Sequence, residues 1–357
     1  MQAFKLTLCP ETAFGTPLVG DTLFGQICWG IVEQFGEAVL AECLQGYTAH
    51  QPFLIVSDAF PAGYLPLPTL PSYYWKEGSE TDRKKLKKRR WLPLSALKTP
   101  CETWQQQAKS NSDIAPNLQS EHSQPHNSIN RQTHTTGAGS QFAPFESEQI
   151  WYAADNLWEI YLLLDEGRLK AEDLRQVIQN IGYSGYGRDA STGLGKFSIG
   201  AWETTDLFER QSGGEAVWTL APCCPQNQGF DAENSFYNIQ TRFGRHGNIQ
   251  ATAGSPFKKP ILMAQTGAVF SRATRDANFI GQGIGGISSS QPQTVHQGYA
   301  PVLQFQPVGN NHNIYSDDLN DTTGRLKNRN GREHGSTILT TTSSLPYPFV
   351  AATFGYG

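Results

Sequence analysis

The stretch LWEIYLLLDEGRLKAEDLRQVIQNIGYSGYGRDASTGLGKFSIGAW, residues 157–202, decides the fold of the first half of this chain. It opens with an apolar run of strand length at 157–165. A helical pattern follows at about 171–181, where apolar residues recur at i, i+3, i+4 and i+7. Gly182 stands where helices commonly end, and residues 196–202 alternate as a strand does. The stretch therefore predicts strand, helix, glycine-rich loop 182–195 and strand.

The N-terminal segment supplies the other half of this unit. Residues 3–8 alternate as a half-buried strand, and an apolar helical stripe then runs to Gly36 with Asp21 as its predicted N-cap. A further strand is predicted at 149–154, directly before the apolar run. Without the insertion between them, these elements read βαββαβ, which is the ferredoxin-like (RRM-like) unit of an α+β fold.

The insertion covers about residues 47–147. Its start, 52–71, contains five prolines and is predicted to be a long ordered loop. Residues 76–90 hold eight Lys or Arg against three acidic residues. Only six of the 37 residues at 105–141 are apolar, which predicts a segment that is mobile or ordered by a partner.

The second half of the chain is predicted to be β-rich and also ferredoxin-like, with strand candidates at 216–221, 235–243, 260–270 and 298–306. The predicted domains are therefore 1–205, which includes the insertion, and 206–306. Residues 307–357 lose the apolar pattern and are predicted to be a polar tail that is disordered, an extension or a docking segment.

Composition excludes several classes of protein. The net charge of −4 excludes a globally basic nucleic-acid binder but leaves room for a local basic face. No apolar run reaches the about 18 residues of a membrane span, and we expect no signal peptide. Six cysteines without a CxxC pair predict neither a disulfide framework nor a zinc site. We therefore expect a cytoplasmic protein that uses no metal and no cofactor.

The glycine loop is the most informative candidate site. Glycines bare the backbone N–H groups, and successive N–H groups can form a nest for anionic oxygen. Tyrosine rings can stack on bases, while cations and hydroxyls suit phosphates. This combination favours RNA. The loop residues predicted to contact it are Gly182, Tyr183, Gly185, Tyr186, Gly187, Arg188, Ser191, Thr192, Gly193, Gly195 and Lys196.

Other phosphate loops fit the sequence less well. A Walker loop requires Ser or Thr after its lysine, whereas Phe197 follows Lys196 here. GxGxxA at 185–190 lies after a helix and before a strand, which inverts the dinucleotide-binding context. GxGxxG at 281–286 is followed by a poor helix start. The remaining alternative is a helix-to-strand connector that binds nothing.

Several segments together resemble one known family. They are PLVGDTLFGQICWGI (17–31), PFLIVSDAFPAGYLPLP (52–68), KKLKKRRWLPLSAL (84–97), NSINRQTHTTGAG (127–139), GYSGYGRDASTGLGKFSIG (182–200), PILMAQTGAVF (260–270) and HQGYAPVL (296–303). In this order they resemble the RAMP superfamily. More narrowly, they resemble the backbone subunit that caps the crRNA 5′ handle in type III-A CRISPR effector complexes.

The resemblance implies a non-catalytic RNA-binding subunit. Such a subunit holds the 5′ handle of the guide crRNA and bridges the large polymerase-type subunit to the repeated RAMP filament subunit. It further implies that the glycine loop and an insertion motif approach the RNA. The motif residues are Asn127, Asn130, Arg131 and Thr133, and Arg242, Arg245 and His246 are further candidates.

Two enzyme hypotheses remain open. Some RAMP relatives cut repeat RNA, so the chain could be a metal-independent endoribonuclease, with His126 or His246 as the general base on a 2′-hydroxyl. No acid or base partner lies near either histidine in the sequence. A nucleotide-cofactor enzyme would instead bind a small molecule, and stabilisation by a nucleotide would be its signal.

Overall fold

The computed structural model describes residues 1–137, 143–246, 256–271 and 278–307. The prediction for the tail concerns residues that, from 308 onward, lie outside the described ranges. Within the described part, no helix combines the length and the apolar composition needed to cross a bilayer.

Helices in the described ranges are mostly short, and two of them are long enough to cover a sheet. The α-helices are α1 (Gly20–Phe35), α2 (Glu37–Cys43), α3 (Arg83–Lys88), α4 (Trp104–Gln107), α5 (Asn111–Ile114), α6 (Ala171–Ser184) and α7 (Leu207–Arg210). Single 3₁₀ turns lie at Tyr47–Ala49, Ser72–Tyr74, Leu94–Lys98, Cys101–Thr103 and Ala190–Thr192.

The described strands pair antiparallel throughout. They are β1 (Gln2–Pro10), β2 (Leu54–Val56), β3 (Phe60–Pro61), β4 (Tyr64–Pro66), β5 (Trp91–Pro93), β6 (Gln119–His126), β7 (Ile129–Asn130), β8 (Thr135–Thr136), β9 (Phe145–Tyr152), β10 (Trp158–Leu164), β11 (Phe197–Thr204), β12 (Ala216–Thr219), β13 (Asp231–Phe236), β14 (Ile239–Arg242), β15 (Ile261–Ala264), β16 (Val269–Ser271), β17 (Phe279–Ile284) and β18 (His296–Phe305).

The first sheet has the predicted ferredoxin-like topology. Its strand order is β11-β1-β10-β2, and β3 also pairs with β10. Helices α1 and α6 connect the strands and pack against each other, so the chain runs βαββαβ with spatial order 4-1-3-2. Both helices bury the apolar stripe that the sequence predicts, from Leu23 to Ile31 in α1 and from Leu174 to Ile181 in α6. The fold class is confirmed.

The second strand of this unit is not where the sequence pattern places it. The prediction used 149–154, but that stretch belongs to β9, which pairs with β6. The strand is β2, whose Leu54–Val56 pairs with β10 inside the segment predicted to be a loop. An edge strand of three residues fits between prolines because it needs few ladder hydrogen bonds. The long insertion therefore lies between β2 and β10, not between α1 and β2.

The insertion carries a β-ribbon, formed by β6 and β9. Its register runs from Gln119↔Tyr152 to His126↔Phe145, and the small β7–β8 hairpin forms its tip at 127–137. Much of 105–137 therefore has regular structure, contrary to the prediction of a mobile segment, while the alternative of a segment ordered by a partner stays a prediction and residues 138–141 lie outside the described ranges. The pattern failed because backbone pairing between two polar strands needs no apolar periodicity.

The second half is β-rich, as predicted. Its sheet has the order β13-β16-β12-β18-β17, with β14–β15 as a separate hairpin. Two predicted strands, 235–243 and 260–270, are each divided by a turn. Strand β17 was missed because Gly281 and Gly283 lie in it. No α-helix lies between β12 and β18 in the described residues, so the ferredoxin-like character of this half stays a prediction.

Both sheets contribute to one large core within the unit Met1–Val308, and the second sheet has a smaller core of its own beside it. Strand β18 is buried along its whole length and lies against α1 and β2. The Gln297 side-chain amide accepts from the Val56 N–H (2.9 Å) and donates to the Val56 carbonyl (2.8 Å). The Tyr299 hydroxyl donates to the Tyr47 carbonyl at 2.6 Å. These buried hydrogen bonds fix the sheets to each other.

Candidate nucleic-acid interface

The glycine loop is a tightly packed turn between α6 and β11. A Cβ on Gly182 would lie 2.1 Å from the Phe197 carbonyl oxygen, so glycine lets the helix touch the strand. A Cβ on Gly195, where φ is +75°, would lie 2.1 Å from the Tyr186 carbonyl oxygen. Gly193, at φ +98°, differs because no atom lies within 4 Å of its missing Cβ. Packing thus explains Gly182 and Gly195, whereas Gly193 faces open space.

Many of the loop amides are already used inside the protein. The Gly195 N–H donates to the Ala13 carbonyl at 2.7 Å, and the Lys196 N–H donates to Thr12 Oγ1 at 2.9 Å. The Tyr186 N–H donates to the Gly195 carbonyl at 2.9 Å. The prediction that these amides form a nest for phosphate is therefore wrong. They hold the loop on the segment that follows β1.

The two tyrosines of the loop have opposite environments. Tyr186 is fully buried, and its hydroxyl donates to the Pro17 carbonyl at 2.9 Å. Burial raises the pKa of Tyr186 well above its ordinary value. Its ring offers no face to a base, so the prediction of stacking is wrong for this residue. Tyr183 is 64% exposed and keeps a free ring surface.

Arg188 joins the loop to the ribbon. Its Nη2 donates to the Glu148 carbonyl on β9 at 2.5 Å, and its Nε lies 3.2 Å from Asp189 Oδ2. The backbones of Phe14 and Ile150 exchange two hydrogen bonds of 2.8 Å beside it. The structure thus brings together the glycine loop and the part of the ribbon between Ile150 and Glu148. The exposed Ser191 and Thr192 lie in the same loop, and Lys196 is half-buried.

The insertion motif lies at the other end of the ribbon. Asn127, Arg131 and Thr133 are exposed there. The Asn130 side chain accepts from the Gln132 N–H at 2.9 Å, which makes it part of the turn. At about 3.4 Å per residue, the ribbon places its tip roughly 24 Å from its base. The motif lies beyond the tip of the ribbon, whereas the loop contacts β9 at Glu148 and Ile150, so both lie along one exposed strand pair.

Arg242 is a structural residue. Its Nε lies 2.5 Å from Oδ2 of Asp21, a carboxylate with no exposed surface, and its Nη2 lies 3.1 Å from Oδ1. Burial alone would raise the pKa of Asp21, but the contacts with His296 and Arg242 outweigh it and lower that pKa. Asp21 lies inside the first turn of α1, after the N-cap Val19, so its prediction as the N-cap is also wrong.

The other candidates of the second half divide between the surface and the interior. Arg245 is exposed, and its guanidinium lies 5.6 Å from the ring centre of Phe257. His246 is buried, with Nε2 2.8 Å from Ser288 Oγ, and burial lowers its pKa. His126, by contrast, is exposed at the ribbon tip and stacks on Phe145 at 5.2 Å. The two histidines of the endoribonuclease hypothesis thus have different surroundings.

A cleft of about 650 Å³ lies between α3 and the seam of the two sheets, which is where Asp58 of the first half approaches Gln265 and Thr266 of the second. Its rim includes Lys87, Arg89 and Arg90 from the basic run. Trp75, Trp91 and Trp158 are among its aromatic lining, and Asp58, Asn238 and Gln265 are among its polar lining. Sequence reasoning missed this cleft because its lining comes from many separate segments. The basic run was the only signal of it.

Asp58 is the acidic residue of the cleft lining, and its pKa is strongly shifted. Its Oδ1 accepts from the Gly20 N–H at 2.7 Å, and its Oδ2 accepts from the Thr266 hydroxyl. Burial raises the pKa of Asp58 to about 7, although both hydrogen bonds act in the opposite direction. The carboxyl thus connects the start of α1 to the turn after β15.

Among known proteins, only solved structures match this chain, and they match it in fold. No family model and no curated protein matches the chain. A chain in the crystal structure of a Csm1–Csm4 cassette with pppApA aligns with a TM-score of 0.53 and 14% identity, over 87% of this chain and 100% of that one. One in the Csm3–Csm4 subcomplex of the type III-A CRISPR-Cas interference complex gives 0.52 and 16%, over 86% and 100%.

A third structure, the Csm1–Csm4 cassette with cA4, also aligns at 0.52 and 16%, over 86% and 100%. Csm4 is the subunit common to all three. The chain therefore shares the fold of chains in these Csm complexes, and the resemblance noted in the sequence is confirmed at the level of fold.

Proposed function

We propose that this chain is a non-catalytic RNA-binding subunit of a type III CRISPR interference complex, where it caps the 5′ handle of the crRNA. The glycine loop and the ribbon form the RNA contact in this proposal. The similar structures are Csm4 chains, one of them described in a type III-A interference complex. Full coverage of those chains supports the same architectural role.

The junction between the glycine loop and the ribbon is the observation that carries the proposal. Arg188 lies in the loop and binds the backbone of β9, so a strand crossing the loop would continue along the ribbon. The exposed Tyr183 supplies a ring for stacking, and Arg131 supplies a cation at the far end. A surface about 24 Å long suits several extended nucleotides of a single strand.

RNA binding tests the proposal directly. We expect the full chain to bind single-stranded RNA carrying a handle sequence, with log affinity falling against log salt by about 0.7 per neutralised phosphate. Arg188→Ala should weaken binding about tenfold, because it removes a cation and frees the base of the ribbon. Arg175→Ala, an exposed arginine on α6, is the matched control. Equal losses in both variants would count against the junction.

Cleavage separates this role from the endoribonuclease alternative. The proposal expects labelled repeat RNA to remain intact when it is incubated with the purified chain in the absence of metal. A specific cut that His126→Ala abolishes would replace the non-catalytic role by the alternative. His246 is a poorer general base for this purpose because it is buried and bonded to Ser288.

The partners of the proposed subunit are a large polymerase-type subunit and a repeated RAMP filament subunit. An apolar face on the β14–β15 hairpin supports protein contact, since Ile239, Leu262 and Phe243 are 65%, 56% and 75% exposed. Co-expression with both candidate subunits and a crRNA should yield one complex. Phe243→Ser should release a protein partner while the isolated chain keeps its RNA affinity.

A further inference from the structure

We propose that the cleft between α3 and the seam binds a single nucleotide, with its phosphate at the cationic rim and its base inserted between the aromatic walls. The residues that line the cleft favour a nucleotide. Only the assignment of an RNA strand as its source rests on the proposed function. The volume of about 650 Å³ lies in the range of small-molecule sites.

The rim offers a fixed cationic surface. Arg89 Nη1 donates to the carbonyls of Gln106 (2.6 Å) and Gln105 (3.3 Å), which anchors this guanidinium beside the opening. Arg90 lies 5.9 Å from the ring centre of Trp91. Lys87 is exposed and lines the same opening. Three cations at one mouth match the charge of a phosphate group.

The interior offers a hydrogen-bond donor that the protein leaves unused. Trp158 lines the cleft and is only 2% exposed, yet its indole N–H has no acceptor among the described residues. Its ring packs edge-on against Trp91 at 6.2 Å and Tyr152 at 4.7 Å. Buried donors are normally paired, so an unpaired one in a cleft wall points to a ligand acceptor. Ring nitrogens and carbonyl oxygens of a base are such acceptors.

The charge order of the cleft favours a nucleotide over a peptide. Positive charge stands at the rim with the exposed Lys87 and Arg90, the Asp58 carboxyl is a half-buried part of the lining, and the neutral amides of Asn238 and Gln265 are exposed at the same cleft. An acidic side chain drawn in by the rim would meet the Asp58 carboxyl, and a basic side chain would meet three cations first. A nucleotide is anionic at one end and carries a neutral aromatic group with polar edges at the other.

Equilibrium dialysis of the full chain against AMP, GMP, CMP and UMP tests the site without any RNA strand. We expect at least one of them to bind, and Trp158→Phe to weaken it about tenfold because the ring remains but the donor is lost. Trp218→Phe is the matched control. Its indole N–H is equally buried and unpaired among the described residues, but Trp218 does not line the cleft.

Two exposed lysines of α3, one at the rim and one away from it, provide a second pair of variants that leave the core intact. Lys87 lines the cleft, whereas Lys84 is an exposed neighbour on the same helix that does not. Lys87→Ala should weaken nucleotide binding about fivefold, and Lys84→Ala should change it less than twofold. No binding of any mononucleotide together with unchanged RNA affinity in Trp158→Phe would overturn the proposal. Binding of an acidic peptide in the cleft instead would do the same.

Measuring RNA affinity in the same variants identifies the source of the nucleotide. If Trp158→Phe weakens single-stranded RNA and mononucleotides alike, the cleft holds one residue of the RNA. If it weakens mononucleotides alone, the cleft holds a free nucleotide. Either result supports the site. Failure of the loop and ribbon variants to affect RNA would leave the dialysis result standing, so the two proposals fail independently.

Discussion

The glycine loop and the ribbon show opposite relations between composition and role. The loop has the composition of a phosphate cradle, yet Tyr186 and several amides are committed inside the protein. The ribbon has the composition of a mobile segment, yet it forms a paired strand ladder with mostly exposed side chains. Clustered glycines here report close backbone packing. Polar residues without periodicity here form a paired strand ladder at the surface.

The largest expected effect tests whether the loop is packed as described. Gly195→Ala should destabilise the chain by about 3 kcal/mol, because its Cβ would meet the Tyr186 carbonyl oxygen at a positive φ. Gly193→Ala should cost about 1 kcal/mol, since only backbone strain opposes it. Urea unfolding measures both. Similar losses at the two positions would remove the distinction between packed and open glycines.

The free energy of unfolding should depend on pH through Asp58, which supports the packed glycine loop and not the ribbon. Asp58 accepts from the Gly20 N–H and so holds the segment at 17–20 beneath Tyr186. Its folded pKa of about 7 exceeds the unfolded value, so the folded state binds the extra proton between about pH 4 and pH 7. This contribution to stability is present at low pH and is lost as pH rises through 7.

The free energy of unfolding of the wild-type chain minus that of Asp58→Asn should fall by about 2 kcal/mol between pH 5 and pH 8. Taking the difference cancels His246 and Lys258, whose lowered pKa values act in the opposite direction. A difference that does not change with pH would show that Asp58 is ionised in the folded state throughout.

The two loop tyrosines give a smaller effect on stability. Tyr186→Phe should destabilise the chain by about 1 kcal/mol through loss of the bond to Pro17, and RNA affinity should stay the same. Tyr183→Ala should leave stability unchanged and weaken RNA binding about tenfold by loss of stacking. Thermal unfolding and filter binding separate the two. The reverse pattern would assign RNA contact to the buried ring.

The ribbon tip should give the smallest change in stability. Arg131→Ala should alter the free energy of unfolding by less than about 0.5 kcal/mol, because the side chain is exposed. The slope of log RNA affinity against log salt should become less negative by about 0.7. Gln132→Ala, its exposed neighbour, should leave that slope intact. A stability loss at Arg131 as large as at the loop would end the contrast between the regions.

Strong apolar periodicity made the main helices and strands of the first sheet predictable from the sequence. Helices α1 and α6 and strands β1, β10 and β11 follow directly from apolar spacing, and with them the ferredoxin-like unit. Strand β2 was hidden because its three residues lie among prolines, and β17 because glycines interrupt it.

The site was less predictable than the fold. The loop was located correctly, but which of its groups face solvent depends on the segment after β1, far away in sequence. Asp21 and Arg242 are separated by 221 positions, so no local pattern could pair them. The cleft combines Trp75, Trp91 and Trp158 with residues of the second half, and only the folded chain assembles it.

The Gln297 amide has one more consequence. Val56 lies on the outer margin of the first sheet, where an uncovered main chain would invite a foreign strand. The single side chain of Gln297 hydrogen-bonds to both the N–H and the carbonyl of Val56, as the backbone of a neighbouring strand would. The β2 edge of the first sheet therefore cannot pair with an added strand at Val56. If the protein works among many copies of related subunits, none of them can extend the first sheet at Val56, because the polar backbone groups of this residue already have partners.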